Sequence, residues 1–319
     1  MKSPGPQSYR LLILAGALLS LTAAQAVVPE PAAAVSPSTT TSVAPTPAAA
    51  SPEDPLIAHL TLGRVQWLEA AGTRFWGLYT EALADDPQGG IILLHGLGAH
   101  PDWPEVIVPL RRDLPHFGWA VLSIQLPAAT QNPDRQWELT PVFEAAAARI
   151  AAAASFLEQQ GLKNIVVIGH DSGAAAAITT LAGAKNDKIA ALVAIGLGLP
   201  PYTAATPYQP ALLEKIAVPM LDIYGSQDLD AVKQEADARA LAARKGRVTR
   251  SASPQADSPQ DTVRARAPVV SKNADPLYQQ MEFPGADHFF TGNETALIKR
   301  IAGWLKKHAA GRTIDAASK

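Results

Sequence analysis

Residues 166–173 read Val166-Val167-Ile168-Gly169-His170-Asp171-Ser172-Gly173 and lead from an apolar run directly into an alanine-rich segment. This order predicts a buried strand that ends in a sharp turn and continues as a helix. Such a turn needs small residues two positions before and two positions after its tip, because larger side chains would collide across the bend. Gly169 and Gly173 meet this requirement when Asp171 is at the tip. With Ser172 at the tip, His170 would occupy a crowded position, so we expect Asp171 to be the exposed residue.

Similar apolar runs recur on both sides of this turn, and each is followed by a helical pattern. The runs are residues 91–94, 120–124, 165–168, 191–195, 218–224 and 278–283. The helical patterns are residues 105–117, 139–160, 173–184, 229–245 and 294–308. Residues 64–69 and 74–79, on either side of Ala71 and Gly72, predict an antiparallel hairpin ahead of them. Nearly all-apolar strands that alternate with helices indicate an α/β fold with a doubly wound, mostly parallel sheet, whose ligands bind at the carboxyl ends of the strands.

The N-terminal region has the composition of an exported protein. Lys2 and Arg10 precede an apolar run over residues 11–26 that closes with Ala24-Gln25-Ala26, the pattern of a signal peptide. The run is shorter than the roughly 20 residues that span a bilayer, so we expect cleavage after Ala26. The alternative is an uncleaved N-terminal anchor, which would be the chain's one contact with a membrane.

The remaining segments are assigned by composition. Residues 27–55 are rich in proline and alanine and lack aromatic residues, which predicts a disordered linker. We expect the folded domain at residues 56–310. Within it, residues 246–277 are rich in Ser, Pro, Ala and Arg and predict a disordered insertion, and residues 311–319 predict a flexible tail.

Charge and cysteine content exclude several classes of function. The 319 residues include 27 basic and 29 acidic side chains, and no basic block indicates nucleic-acid binding. With 47% apolar residues the chain can bury a large core. Cysteine is absent, which excludes disulfides, thiolate catalysis and Cys-ligated zinc, and export without cysteine suits a bacterial periplasm. The seven histidines lack the HExxH spacing and no phosphate-binding glycine motif is present, so we expect neither a metal nor a cofactor.

Two other loops at predicted strand ends carry chemically capable side chains. His95-Gly96-Leu97-Gly98 follows the strand at 91–94, and its glycines would leave backbone N–H groups free to bind an oxyanion. Late in the chain, one strand is followed by Asp228 and the next by His288. Asp230 is a weaker alternative to Asp228, because it lies further into the next helix.

Other uses of these residues remain open. Asp171 or Ser172 could serve only to cap the helix that begins there, since Asp and Ser are common N-cap residues. Asp222 lies in the middle of an apolar strand and needs a buried partner or a proton. The sequence does not identify that partner, and we expect Asp222 to have a structural role.

Residues 64–308 resemble the α/β-hydrolase superfamily. The string LLHGLGAHPDWPEVIVPLRRDLPHFGWAVLSIQLP at residues 93–127, with IGHDSGA, PMLDIYG and RIAGWL further on, is similar to an uncharacterised bacterial group, the domain-of-unknown-function family 3530. The order Asp171, Asp228, His288 is the order of nucleophile, acid and histidine in the superfamily's triad. The resemblance therefore implies a hydrolase fold but no known substrate.

The Gly-His-Asp-x-Gly turn is also similar to those of epoxide hydrolases and haloalkane dehalogenases, with two differences. Ser172 follows the aspartate, where those enzymes commonly have an aromatic or halide-contacting residue. Residues 196–217 are too few for the helical cap domain that those enzymes insert, so we expect no large cap. Tyr202 and Tyr208 lie in this connection and could imitate the tyrosines of such a cap, but packing is the simpler role for them.

Three hypotheses about function follow. In the first, the carboxylate of Asp171 attacks an electrophilic carbon of a small molecule, and His288, oriented by Asp228, activates water to cleave the resulting alkyl ester. Backbone N–H groups of Leu97 and Ser172 would stabilise the oxyanion, with His95 and Gly96 beside the pocket. In the second, Ser172 is the nucleophile of a serine esterase. In the third, the hydrolase fold is catalytically degenerate and acts as a periplasmic binding or envelope-associated protein.

Overall fold

The computed structural model describes residue 60 and residues 62–183, 187–252 and 277–310. The predicted signal peptide at 1–26, linker at 27–55 and tail at 311–319 lie outside the described residues, as do residues 253–276 of the predicted insertion. Within the described ranges, no helix combines the length and the apolar character needed to cross a bilayer.

One large sheet forms the centre of the described domain. The strands in chain order are β1 (Arg64–Ala70), β2 (Thr73–Thr80), β3 (Gly89–Leu94), β4 (Trp119–Ile124), β5 (Thr130–Gln131), β6 (Trp137–Glu138), β7 (Ile165–His170), β8 (Ile189–Ile195), β9 (Met220–Gly225) and β10 (Tyr278–Phe283). Eight of them form the sheet in the order β1-β2-β4-β3-β7-β8-β9-β10, and β5 pairs with β6 separately. Strands β1 and β2 are antiparallel to their neighbours, and the rest of the sheet is parallel. The prediction of a mostly parallel sheet is confirmed.

Helices cover both faces of this sheet. They are α1 (Ile107–Asp113), α2 (Thr140–Gln159), α3 (Ser172–Gly183), α4 (Asp230–Gln234), α5 (Ala236–Ala252) and α6 (Glu294–His308), with short 3-10 helices at Leu114–Phe117 and Pro210–Lys215. Residues of α2, α3 and α5 share one hydrophobic core with the sheet, and residues of α1 and α6 share the other. The sheet is therefore doubly wound, as its near-continuous apolar strands predicted.

Strand β7 shows how alternation produces these two cores. Ile165 and Val167 contribute to one core and Val166 and Ile168 to the other, and all four side chains are fully buried. The strand lies between β3 and β8, with Gly169 paired to Leu94 on one side and to Ala194 on the other. The residues that follow β3, β7, β8 and β9 therefore meet at one edge of the sheet.

The structure adds elements that the sequence patterns did not indicate. The two-residue strands β5 and β6 form a small hairpin between β4 and α2. Helix α5 continues to Ala252, so residues 246–252 are helical, although the sequence placed them in a disordered insertion. The reason is packing: a Cβ atom on Gly246 would lie 2.1 Å from the carbonyl oxygen of Glu214, so this glycine permits close contact between α5 and a 3-10 helix.

The connection from β8 to β9 contains loops and the 3-10 helix Pro210–Lys215. No large cap domain is present in this described stretch, as the short connection predicted.

The structure identifies the partner of Asp222. This side chain is fully buried, and its Oδ2 atom accepts hydrogen bonds from Arg239 Nε at 2.8 Å, Tyr278 OH at 2.7 Å and Gln280 Nε2 at 3.0 Å. Arg239 is also fully buried and donates to the carbonyl oxygen of Val232 at 2.9 Å. Asp222 thus joins β9, β10 and α5 through a buried ion pair, in agreement with the structural role expected for it.

Candidate active site

The turn between β7 and α3 has the strained geometry that the glycine spacing predicted. Asp171 has a φ of 53°, a conformation that costs a non-glycine residue about 1–3 kcal/mol. A Cβ atom on Gly169 would lie 2.6 Å from Ala174 Cα, and one on Gly173 would lie 2.4 Å from the carbonyl oxygen of His95. Both positions therefore exclude larger residues, and Asp171 is the residue at the tip.

The loop after β3 holds one oxygen of the Asp171 carboxylate. The backbone N–H of Leu97 donates to Asp171 Oδ2 at 3.1 Å, and Ser172 Oγ donates to the same oxygen at 3.1 Å. A Cβ atom on Gly96 would lie 2.7 Å from this oxygen, so glycine is needed for the close approach. Of the two backbone donors predicted to bind an oxyanion, the Leu97 N–H therefore contacts the carboxylate itself, whereas Ser172 contacts it through its hydroxyl group.

His95 fixes the shape of that loop. Its Nε2 atom accepts a hydrogen bond from the N–H of Leu126 at 3.0 Å, and its Nδ1–H donates to the carbonyl oxygen of Gly96 at 2.9 Å. Burial lowers the pKa of His95 to about 4, so the ring is neutral at physiological pH. With both ring nitrogens occupied, His95 positions the loop and has no free nitrogen for a proton transfer.

Asp228 and His288 form a buried pair beside the turn. His288 Nδ1–H donates to Asp228 Oδ1 at 2.6 Å. The Asp228 side chain is fully buried and also accepts from the N–H groups of Gly225 at 3.1 Å and Leu229 at 2.8 Å. Burial alone would raise the pKa of Asp228, but the hydrogen bond and charge of His288 and these two backbone donors lower it overall. Asp228 is therefore held as a carboxylate that orients the imidazole.

The other nitrogen of His288 faces the turn. Nε2 lies 3.9 Å from Asp171 Oδ1, the carboxylate oxygen that Leu97 does not bind. Burial alone would lower the pKa of His288, but its hydrogen bond to Asp228 and the negative charges of Asp171 and Asp228 raise it above its ordinary value. The structure thus brings Asp171, His288 and Asp228 together in one row, with an imidazole between two carboxylates.

Two residues that the sequence did not single out hold this histidine in place. Gly196 follows β8 with a φ of 55°, and a Cβ atom there would lie 3.0 Å from the His288 ring. His170 Nε2–H donates to the carbonyl oxygen of His288 at 3.0 Å, and the two ring centroids are 4.8 Å apart. Burial and the nearby charge of His288 lower the pKa of His170, which keeps it neutral. The turn sequence contains His170, but only the fold reveals its link to residue 288.

A cleft of about 250 Å³ lies beside the turn, although Asp171, Asp228 and His288 are not themselves among the residues that line it. His95, Gly96, Leu97 and Ser172, all predicted to lie at the pocket, are among the residues that line it. Asp171 lies directly beside this wall, because Leu97 and Ser172 both bind its Oδ2 atom.

The remaining sequence candidates lie elsewhere. Tyr202 is 82% exposed and Tyr208 is buried, and neither lines the cleft. The Tyr208 side chain packs in the hydrophobic core that α2, α3 and α5 share with the sheet, which is the packing role expected for it. Asp230 is at the exposed start of α4 and pairs with Lys233, so Asp228 is the acid next to His288.

Metal coordination can be judged for the described part of the chain. There, no group of three or more His, Asp or Glu side chains has the arrangement needed to hold a metal ion.

Solved structures with similar folds include proteins named as an esterase and as a dienelactone hydrolase. Est1E from Butyrivibrio proteoclasticus matches with a TM-score of 0.54 at 12% identity, over 76% of this chain and 98% of that chain. An esterase from Pyrococcus furiosus matches with a TM-score of 0.54 at 15% identity, over 77% and 91% of the two chains. Dienelactone hydrolase from Anabaena variabilis matches with a TM-score of 0.53 at 18% identity, over 77% and 97%. At these identities the likeness shows the fold alone, which is the α/β-hydrolase fold.

Sequence comparison adds a family but no characterised relative. No curated protein matches the chain. Residues 9–147 and 142–251 match the family described as "Protein of unknown function (DUF3530)", a span that includes Asp171 and Asp228 and ends before His288. These two matches cover well over half of the chain and confirm the resemblance seen in its motifs. The chain therefore belongs to the DUF3530 family of proteins of unknown function.

Proposed function

We propose that this protein is a hydrolase that cleaves a small organic electrophile, such as a haloalkane or an epoxide, through an ester formed on Asp171. The observation that carries the proposal is the different environment of the two Asp171 oxygens. Oδ2 is bound by the backbone N–H of Leu97, whereas Oδ1 lies 3.9 Å from His288 Nε2. One oxygen is thus held by a donor, and the other lies beside the base.

In the first step, Oδ1 of Asp171 attacks an electrophilic carbon. A carbon–oxygen bond forms and the bond to the leaving group breaks. With a haloalkane the halide departs with the electron pair; with an epoxide the ring oxygen keeps the electron pair and takes a proton from water. The product is an alkyl ester of Asp171 whose carbonyl oxygen is Oδ2.

In the second step, His288 Nε2 takes a proton from a water molecule that attacks Cγ of the ester. Negative charge then develops on Oδ2, where Leu97 already donates a hydrogen bond. Collapse of this intermediate breaks the bond between Cγ and the alkyl oxygen, which takes the proton from His288 and leaves as an alcohol. Asp171 is regenerated with one oxygen from water, and the second proton of that water passes from the acid to solvent.

Ester formation also favours this second step electrostatically. The negative charge of Asp171 helps to raise the pKa of His288. Conversion of Asp171 into a neutral ester removes that charge, so His288 loses its proton more readily. The base becomes available when the water molecule must be activated.

A serine esterase that uses Ser172 is the second candidate, because Ser172 lines the cleft and similar folds include esterases. Its hydroxyl group donates to Asp171 Oδ2, however, and the polar contact of His288 Nε2 is with Asp171. This arrangement supports Asp171 as the nucleophile.

Paired variants separate the two candidates. Asp171→Asn should abolish turnover of haloalkanes, epoxides and activated esters, whereas Ser172→Ala should retain at least a tenth of it. Loss of activity in Ser172→Ala alone, with adduct formation at residue 172 by a fluorophosphonate, would establish the serine mechanism. If no substrate is turned over by the wild-type protein, a catalytically degenerate binding protein is the remaining reading.

We further propose that the protein is exported to the periplasm, on the basis of the signal-like pattern in residues 1–26. Fractionation of expressing cells should place it in the periplasmic extract, with a mature N-terminus at Val27. Recovery with residues 1–26 intact in the membrane fraction would show that the segment is an uncleaved anchor.

A further inference from the structure

The cleft beside Asp171 is built from five parts of the chain. They are the loop His95–His100 after β3, the loop Gln125–Ala129 after β4, Trp137 in β6, residues at the start of α2, and Ser172 at the start of α3. Gly96, Leu97 and Ser172 form the part of its wall that adjoins the Asp171 carboxylate. A substrate whose reacting carbon is at Asp171 would place its remaining atoms in this cleft.

Apart from Gln125, the side chains in the wall of the cleft are apolar or already hydrogen-bonded. Leu126, Leu139 and Val142 supply aliphatic surface, and Trp137 supplies an aromatic ring. Among the described residues that line it, none is Lys, Arg, Asp or Glu. An anionic group that entered the cleft would lose its hydration without gaining a cationic partner among these lining residues, which is strongly unfavourable.

Three of the four polar side chains in the wall, those of His95, His100 and Ser172, are already hydrogen-bonded, and the fourth is that of Gln125. His95 is neutral and uses both ring nitrogens within the protein. Ser172 donates its hydroxyl hydrogen to Asp171, and His100 Nδ1 accepts from the N–H of Asp102. These groups are therefore engaged before any ligand arrives.

Trp137 is fixed in position by backbone contacts from two sides. It pairs with Gln131 in the β5–β6 hairpin. Its N–H donates to the carbonyl oxygen of Tyr202 at 2.9 Å, and its carbonyl oxygen accepts from the N–H of Ala204 at 2.9 Å. The hairpin and the 202–204 segment thus hold an aromatic wall over the cleft.

The volume limits the size of the group that the cleft can hold. A dry cavity of about 150 Å³ accepts a benzene ring. The cleft, at about 250 Å³, has room for such a ring and a short aliphatic extension.

We infer that the substrate places an uncharged, apolar group, of the size of one aromatic ring with a short chain, against Trp137 in this cleft. The inference rests on the proposed function for the position of the reacting carbon. It makes Trp137 the residue that selects the substrate by size and polarity.

The test uses two ligands of similar shape, 2-phenylethanol and phenylacetate, which differ in charge. Their dissociation constants are measured on the full-length protein by NMR titration of the tryptophan indole N–H signals, with the Trp137 signal assigned from Trp137→Phe. The neutral ligand should shift the Trp137 signal and bind at least tenfold more tightly than phenylacetate. Trp137→Ala should weaken its binding about tenfold, whereas Trp67→Ala, at the edge strand β1, should leave it unchanged.

Equal or tighter binding of phenylacetate would overturn the inference, as would unchanged binding in Trp137→Ala that retains its fold. The same preference is then measured as kcat/KM for styrene oxide against phenylglycidate. If 2-phenylethanol binds at Trp137 but no electrophile alkylates Asp171, the inference stands and the proposed function fails. If alkylation occurs with a preference for phenylglycidate, the proposed function stands and the inference fails.

Discussion

Strand β9 and the loop after it carry two carboxylates, Asp222 and Asp228. Both are fully buried, and each is paired with a nitrogen-containing side chain. Arg239 Nε lies 2.8 Å from Asp222, and His288 Nδ1 lies 2.6 Å from Asp228. In both cases a buried carboxylate is stabilised by a short hydrogen bond to a partner that can be positively charged. The two pairs have nevertheless been assigned different roles.

The difference is in what the partner can do. Arginine keeps its proton at any physiological pH, and three donors converge on the Oδ2 atom of Asp222. Histidine can release its proton, and the second nitrogen of His288 faces Asp171 beside a cleft. A buried ion pair can thus hold elements together when its cation cannot titrate, and it can support chemistry when its cation can.

Removal of the Asp171 carboxylate should have the largest effect on the rate of turnover. Asp171→Asn retains the size of the side chain, and asparagine tolerates the positive φ at this position. Turnover should fall by at least about 10⁴-fold, because a neutral amide is a far weaker nucleophile than a carboxylate. The free energy of unfolding, measured with urea, should change by less than about 1 kcal/mol. A large loss of stability with retained activity would show that Asp171, like Asp222, stabilises the fold and does not take part in the reaction.

Replacement of Asp228 by asparagine tests whether its pair with His288 serves catalysis. The rate should fall by about 10³-fold, because the imidazole loses its orienting charge. The wild-type rate should rise with pH through the pKa of His288, which is raised above 6.5, since the base must be unprotonated. Without the charge of Asp228 that pKa decreases, so the rising limb of the pH–rate profile should move to lower pH. An unshifted limb would show that another group controls the profile.

Replacement of Asp222 by asparagine should show the opposite pattern. The variant leaves the buried guanidinium of Arg239 without its carboxylate, which typically costs about 3–5 kcal/mol of stability. Turnover per folded molecule should remain unchanged. Asp230→Asn is the matched control, because the Asp230 side chain is 85% exposed and its loss should cost less than about 0.5 kcal/mol. Equal stability of the two variants would contradict the structural role of Asp222.

A third buried titratable group, His95, should make the stability of the protein depend on pH. Its pKa is about 4 in the folded protein, against 6.5 for the unperturbed side chain. The unfolded chain therefore binds the proton first as the pH falls, and the folded state loses stability between pH 6.5 and pH 4. The loss attributable to His95 should approach about 3 kcal/mol. The free energy of unfolding in urea is measured for the wild type and His95→Gln at pH 7 and pH 4.5. An equal loss of stability in the two proteins between these pH values would exclude His95 as the cause.

Much of the fold and the site followed from short-range rules that the sequence displays directly. The glycines at 169 and 173 placed Asp171 at the tip of a turn, because the steric conflict that they avoid is local. Apolar runs located the parallel strands, and the carboxyl ends of these strands located the loops that carry residues 95–98, 228 and 288.

Other features depend on contacts between distant segments and left no local signal. Arg239, the partner of Asp222, is on α5, in the connection between β9 and β10. No feature of the sequence identifies this arginine as the partner. Composition placed Gly246 at the start of a predicted disordered insertion, but it is the point at which α5 contacts another segment. The strands β5 and β6 are too short to produce a periodic pattern.

The most direct test of the central claim is mass spectrometry of the peptide that contains Asp171 after exposure to 1-bromohexane or styrene oxide in H₂¹⁸O. In His288→Gln an alkyl adduct should accumulate on Asp171, because the ester forms but water is not activated. In the wild type the adduct should not persist, and the Asp171 carboxylate should gain ¹⁸O during turnover. An adduct on Ser172, or turnover that places ¹⁸O in the product and none in Asp171, would contradict the account.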